Sequence, residues 1–235
     1  MPPTLAKAIE NSDFAREVPS HVRDALFAAS MRVELEANEP LFFEGDPAND
    51  FFILLEGNLK ATKLSPEGDE QIIAVFRAGE LFGEMAHFDG AARSATISAV
   101  KKATMMSWPH TEFFRVANEA PELYRFVLGV LSRRLRETNI AFAARQFLPL
   151  KGQLAVLLSR LKRDLGIEWG DGSTRIDIRL TQADLATMIG ASRENVSRVL
   201  NEWIREGTLA KVDGRYHIVR ADQLDAHAER HDALA

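Results

Sequence analysis

The chain has 235 residues, with 29 Lys+Arg against 34 Asp+Glu, a formal net charge of −5 and no cysteine. That length suits one large or two ordinary domains, and the lack of cysteine excludes disulfides, thiolate metal sites and cysteine-held iron–sulfur clusters. The balance of apolar and charged residues is that of a globular protein, no apolar run is long enough to span a membrane, and MPPTLAKAIENSDF lacks the core of a secretory signal; a cytoplasmic protein without a membrane partner is expected.

The charge is unevenly placed. From Gln146 onward Lys+Arg and Asp+Glu balance at 13 each, so the first 145 residues carry the whole acidic excess, 16 against 21. A net negative chain is no generic polyanion binder, yet a neutral second half can bind DNA if its cations share one face.

In chain order, residues 4–30 read as short helices packed outside a β-rich body. From Arg32 to Ser107, short apolar runs alternate with turn residues: Pro40–Phe43, Phe51–Leu55, Ile72–Phe76 and Ala95–Val100, separated by Glu44–Pro47, Glu56–Asn58, Pro66–Asp69 and Ala78-Gly79. Such spacing suggests an all-β sandwich or barrel. Within it, Phe82-Gly-Glu-Met-Ala-His-Phe-Asp-Gly-Ala-Ala-Arg-Ser-Ala95 sets Glu84 and Arg93 nine residues apart. Glu84 can accept from a sugar hydroxyl, and Arg93 offers a planar fork of donors to a phosphate. Gly83 lets backbone approach a ligand closely, while Ser94 and Ala95 leave room.

After Pro121, Tyr124, Val127, Leu131, Leu135, Thr138 and Phe142 recur every three or four residues, a helical stripe running to Ala144. At 1.5 Å per residue that helix extends roughly 36 Å, which suits a seam with a partner helix. Pro149 and Gly152 mark a hinge. A further helix follows, with Leu154, Leu157, Leu158 and Leu161 on one face, then the loop Trp169–Ser173 and a strand over Arg175–Leu180.

Residues 181–207 read as two helices joined by a tight turn. Thr181 is an N-cap with Asp184 three residues on, Gly190 supplies the positive φ of the turn, and Ser192 caps the second helix. Val196, Val199, Leu200 and Trp203 form its buried side. Arg193, Glu194, Ser197 and Arg198 point the other way from its N-terminal end, with Asn195 beside them; side chains of this kind read base edges in a major groove. Leu209–Val219, turning at Asp213-Gly214, is a hairpin wing.

The Phe82–Ala95 segment resembles the phosphate-binding cassette of cyclic-nucleotide-binding domains, and Ser192–Arg198 resembles the recognition helix of the catabolite activator/FNR regulator family. Sensor, long helix and winged helix occur in the order of that family. The resemblance implies an α+β fold: a cyclic-nucleotide-binding β-roll (jelly-roll-like) with N-terminal helices over 1–110, helices including a long dimerisation helix over 111–145, and a winged helix-turn-helix over 146–235. It implies nucleotide contacts from Phe82, Gly83, Glu84, Met85, Ala86, Arg93, Ser94 and Ala95, with Glu84 on the ribose 2′-hydroxyl and Arg93 on the cyclic phosphate. Arg133–Asn139 is similar to the segment whose Thr-Ser pair contacts the purine, here Thr138 and Asn139. It implies DNA contacts from Thr181, Ser192, Arg193, Glu194, Asn195, Ser197 and Arg198 on a TGTGA-like palindrome. The expected partners are double-stranded DNA, a second copy of the chain and RNA polymerase. Cyclic AMP or cyclic GMP is the expected allosteric ligand, with no prosthetic group, no metal site and no catalytic residues. Oxygen-sensing and haem-binding members use cysteines that this chain lacks, and His87 reads as an ordinary loop histidine; the alternatives are a ligand-independent or redox- or haem-linked regulator of the same fold and, ranked below it, a cyclic-nucleotide-regulated enzyme subunit.

Overall fold

A computed structural model describes residues 9–228 apart from 11, 66, 67 and 69. It contains two compact units, Met1–Arg134 and Leu135–Ala235, divided within one long helix.

The first unit opens with α1 (Asp13–Glu17), capped where Ser12 Oγ accepts from Ala15 N at 3.1 Å, and α2 (Ser20–Ala28). Their buried Phe14, Leu26 and Phe27 close around Trp108, whose Nε1 donates to Leu26 O at 2.8 Å. The helices therefore cover one face of the sheet, as residues 4–30 suggest; residues 4–8 lie outside the described ones.

The strands are β1 (Met31–Leu35), β2 (Pro40–Phe42), β3 (Asp50–Leu64), β4 (Glu70–Arg77), β5 (Leu81–Phe82) and β6 (Thr96–Pro109). They pair antiparallel in the order β1-β6-β3-β4, with β2 on β6 and β5 on β3. Along β3, Phe51, Ile53 and Leu55 enter the helix-covered cluster, whereas Phe52 and Leu54 enter the interior of the roll beside Phe76, Phe82 and Ile97. A strand buried on both faces reads as a continuous apolar run, which is why Phe51–Leu55 shows no alternation.

Two features differ from the strand pattern expected above. Glu56-Gly57-Asn58 is not a turn between strands but a bulge inside β3, where the register against β6 shifts. Gly57 (φ +94°) allows it: a Cβ there would lie 2.7 Å from Ala103 Cα, so the neighbouring strand approaches only a glycine. Likewise the Ala95–Val100 run continues to Pro109 as one strand. Of the Pro66–Asp69 turn, only Gly68 is among the described residues.

Two helices follow α3 (Met85–Asp89): α4 (His110–Glu119) and α5 (Pro121–Phe147). The stripe expected along α5 splits. Leu123, Phe126, Val127 and Val130 are buried in the helix-covered cluster of their own unit. Leu128, Leu135 and Phe142, seven residues apart, are exposed, as are Ile140 and Phe147. The first turns thus pack on their own domain, and an outward row at heptad spacing is left exposed.

In the second unit, α6 (Leu150–Leu165) starts at Pro149 and buries Leu154, Leu158 and Leu161. The sheet runs β7-β8-β10-β9, formed by Gly166–Glu168, Thr174–Ile176, Arg215–Ile218 and Leu209–Val212. The expected strand over Arg175–Leu180 ends at Ile176. Ile178 and Leu180 remain buried, so they supply core without strand pairing. Helices α7 (Gln182–Ile189), α8 (Arg193–Arg205) and α9 (Ala221–Ala228) complete the unit.

Candidate functional site

The cassette forms around two buried charges. After β5, Gly83 (φ +77°) turns the chain into α3, with Glu84 at its N-cap. A Cβ on Gly83 would stand 2.9 Å from Arg93 Nη1 and 3.1 Å from Phe52, so the glycine is what lets Arg93 lie flat against the backbone. Arg93 is only 5% exposed. Its Nη1 donates to Gly83 O at 2.7 Å and its Nη2 to Asp50 O at 2.9 Å, with the guanidinium 4.2 Å above the Phe42 ring. Burial pulls its pKa below the ordinary arginine value, opposed by the nearby Asp50 and Glu84.

Glu84 is 1% exposed. Its Oε1 accepts from Arg134 Nη1, and Arg134 Nη2 donates to Leu81 O at 2.6 Å. Arg134 also lies 5.2 Å above the Phe76 ring. The second carboxylate oxygen, Oε2, is buried with no hydrogen-bond partner among the described residues, as is Arg93 Nε. A buried carboxylate oxygen without a donor is costly, and a hydroxyl is the group that would satisfy it without adding charge.

Around this pair, Phe82 is fully buried and stacks on Phe52 at 5.3 Å; Ala86 and Ala95 are buried. Met85 is exposed, and Ser94, also exposed, directs its Oγ to Met85 Sδ at 3.7 Å. Thr138 and Asn139 are exposed on α5 and belong to the second unit. Arg134 was not singled out by sequence. A signal was present: it precedes Thr138 by four residues, so both occupy one face of the helix, but one cation within Arg133-Arg134-Leu135-Arg136 is not distinguished by spacing.

His87 donates from Nε2 to Asp50 O at 2.9 Å and stacks on Phe51 at 4.2 Å, and burial lowers its pKa below the ordinary histidine value. It lines a cavity of about 490 Å³ with Ala86, Gly90 and His110, to which Glu84 and Arg93 do not contribute. Among the described residues no three His, Asp or Glu side chains group to hold a metal ion, and no helix is long and apolar enough to cross a membrane.

The reading head is built by caps. Thr181 Oγ1 accepts from Asp184 N at 3.0 Å while Asp184 Oδ2 accepts from Thr181 N at 2.7 Å, a full capping box for α7. Gly190 (φ +67°) ends α7, and Ser192 Oγ accepts from Asn195 N at 3.3 Å to start α8. Thr181 and Ser192 are thus occupied in local structure. Val196, Val199, Leu200 and Trp203 are buried, which turns Arg193, Glu194 and Arg198 to solvent, with Asn195 exposed and Ser197 half-buried. Arg193 and Arg198 have no ion-pair partner among the described residues, whereas Arg163, Arg175 and Arg215 each hold a carboxylate. The wing turns at Asp213 (φ +50°) and Gly214 (φ +77°), both positive as a two-residue hairpin requires.

A β-roll with a buried Glu–Arg cassette, a long helix and a winged helix-turn-helix define a sensor joined to a DNA-reading domain. Residues 32–120 match the cyclic nucleotide-binding domain family, and residues 152–227 match the Crp-like helix-turn-helix domain family. The global nitrogen regulator of a Nostoc species is 30% identical over 179 residues, covering 75% of this chain and 79% of that protein. A CRP-like cAMP-activated global transcriptional regulator of Mycobacterium tuberculosis is 28% identical over 183 residues, covering 78% and 81%. A solved CRP-family transcriptional regulator of Thermus thermophilus shares the fold at a TM-score of 0.69 and 23% identity, over 84% of this chain and 96% of that one. The chain belongs to the CRP/FNR family of DNA-binding transcriptional regulators and carries that family's cyclic-nucleotide-binding domain.

Proposed function

We propose that the protein is a homodimeric regulator that binds a TGTGA-like palindrome in response to cyclic AMP, with cyclic GMP as the competing ligand. The observation that carries the ligand half is the orphaned Oε2 of buried Glu84 beside buried Arg93. A ribose 2′-hydroxyl would donate to that oxygen. Arg93 would turn part of its fork from the carbonyls of Gly83 and Asp50 to the cyclic phosphate, exchanging neutral acceptors for a charged one. Two relatives, in M. tuberculosis and T. thermophilus, are named for cyclic AMP, which favours adenine.

Main-chain groups and small side chains of Phe82–Ala86 and Ser94–Ala95 would complete the cradle, with Thr138 and Asn139 reading the purine. The exposed row of Leu128, Leu135 and Phe142 supplies the dimer seam. Sensor (1–110), helical segment (111–145) and reading head (146–235) are the working divisions. RNA polymerase is the downstream partner, and the protein's role is binding rather than catalysis.

Calorimetric titration with both nucleotides tests the ligand half. Arg93→Leu should weaken cyclic AMP binding by tenfold or more, since a charge-assisted hydrogen bond is worth about 1.5–3 kcal/mol. Unchanged affinity in a folded variant would remove Arg93 from the site. For the DNA half, Arg193→Ala should relax base preference at one position of each half-site, worth about 1–3 kcal/mol there. Uniform weakening across all sequences would make Arg193 a phosphate contact instead.

A further inference from the structure

The last turn of α5 holds a cation whose position is not explained by the nucleotide or by base reading. A Cβ on Gly190 would meet Arg145 Nη2 at 2.5 Å, Cζ at 2.7 Å and Nη1 at 3.0 Å. Three atoms of one guanidinium therefore lie over the single glycine that separates α7 from the start of the reading helix. Both residues are in the second unit. Arg145 has no carboxylate partner among the described residues. It lies instead at the C-terminal end of α7, where the last carbonyls favour a cation.

Arg145 also has a place in the dimer seam. Thr138 and Arg145 are spaced by seven and interleave with Leu135 and Phe142, so they fall on the alternate positions of one heptad pattern, and all four are exposed. In a parallel pair of α5 helices, residues at such a position face their own copies. Two guanidinium groups brought together this way repel, whereas the end of α7 offers each an attractive site.

We infer that Arg145 is a positioning residue that couples closure of the dimer seam to the reading head: pairing of the long helices expels both Arg145 side chains onto the Gly190 turns and fixes the start of each recognition helix. The planar guanidinium covers the glycine; a lysine at 145 keeps the charge without the plane. This inference rests on the nucleotide-dependent dimer proposed above.

The test measures affinity of the full chain for a TGTGA palindrome with and without cyclic AMP, in the wild type, Arg145→Ala, Arg145→Lys and Gly190→Ala, with thermal melts as a folding control. Arg145→Ala should melt like the wild type, because Arg145 is exposed, yet its ratio of nucleotide-bound to nucleotide-free DNA affinity should fall about fivefold or more, the low end of coupling between sites. Arg145→Lys should restore only part of it. Gly190→Ala, which displaces the guanidinium, should reduce the ratio less in an Arg145→Ala background than alone. A wild type without nucleotide dependence overturns the proposed function. A nucleotide-dependent wild type with an unchanged ratio in Arg145→Ala overturns this inference alone.

Discussion

Arg134→Met should destabilise the first unit by about 3 kcal/mol, the usual cost of leaving one member of a buried ion pair without its partner. At roughly 3 °C per kcal/mol for a unit of this size, its melting temperature should fall by about 10 °C. Arg134 donates to Glu84 Oε1, and Glu84 is almost fully enclosed between β5 and α3. Removing the guanidinium leaves a buried carboxylate without its charged partner. Glu84→Gln should therefore recover much of the loss when combined with Arg134→Met, giving a coupling energy of at least 1 kcal/mol in a double-mutant cycle. Additive losses would show that the two side chains act independently. In the proposed function the same pair would also serve ligand binding: Arg134 holds Oε1, and Oε2 is the oxygen that would accept from a hydroxyl.

Trp203→Ala should cost about 3–5 kcal/mol, as large-to-small changes in a core do, and should abolish specific DNA binding at 37 °C. Trp203 is 0% exposed at the centre of the buried side of α8, and its carbonyl accepts from Thr208 N at 2.9 Å where the helix turns into the wing. Without the ring, both the recognition helix and the wing lose the support that orients them. Its Nε1–H is a buried donor with no partner among the described residues. Trp203→Phe removes that donor while keeping most of the ring, and should cost far less than the alanine variant. Equal losses in the two variants, read by chemical denaturation, would mean that the indole N–H is satisfied in solution.

How much of this was open to sequence differs by element. The reading head was most legible because its signals are local: Thr181, Gly190 and Ser192 act within their own turns, and Val196, Val199, Leu200 and Trp203 repeat at helical spacing. The roll was legible in kind but not in strand length. Gly57 looks like a turn residue, and only the approach of Ala103 from another strand shows that it makes a bulge. The split of the α5 stripe was hidden for a similar reason. Val127 and Leu135 look alike in sequence, and tertiary packing buries one and leaves the other exposed. At the cassette, Glu84 and Arg93 could be picked out by residue type and spacing, but their burial, the turning of Arg93 onto two carbonyls and the pairing with Arg134 depend on contacts across 43 to 53 positions.

In the proposed function Glu84 and Arg93 would hold the nucleotide, Arg193, Glu194 and Arg198 would read the DNA, and the first group would control the second. Fluorescence anisotropy of a labelled TGTGA palindrome, titrated with the full chain at fixed salt with and without saturating cyclic AMP, tests this most directly. The account predicts binding at least about tenfold tighter with nucleotide, a coupling of 1.4 kcal/mol. Equal affinity in the two titrations would contradict it.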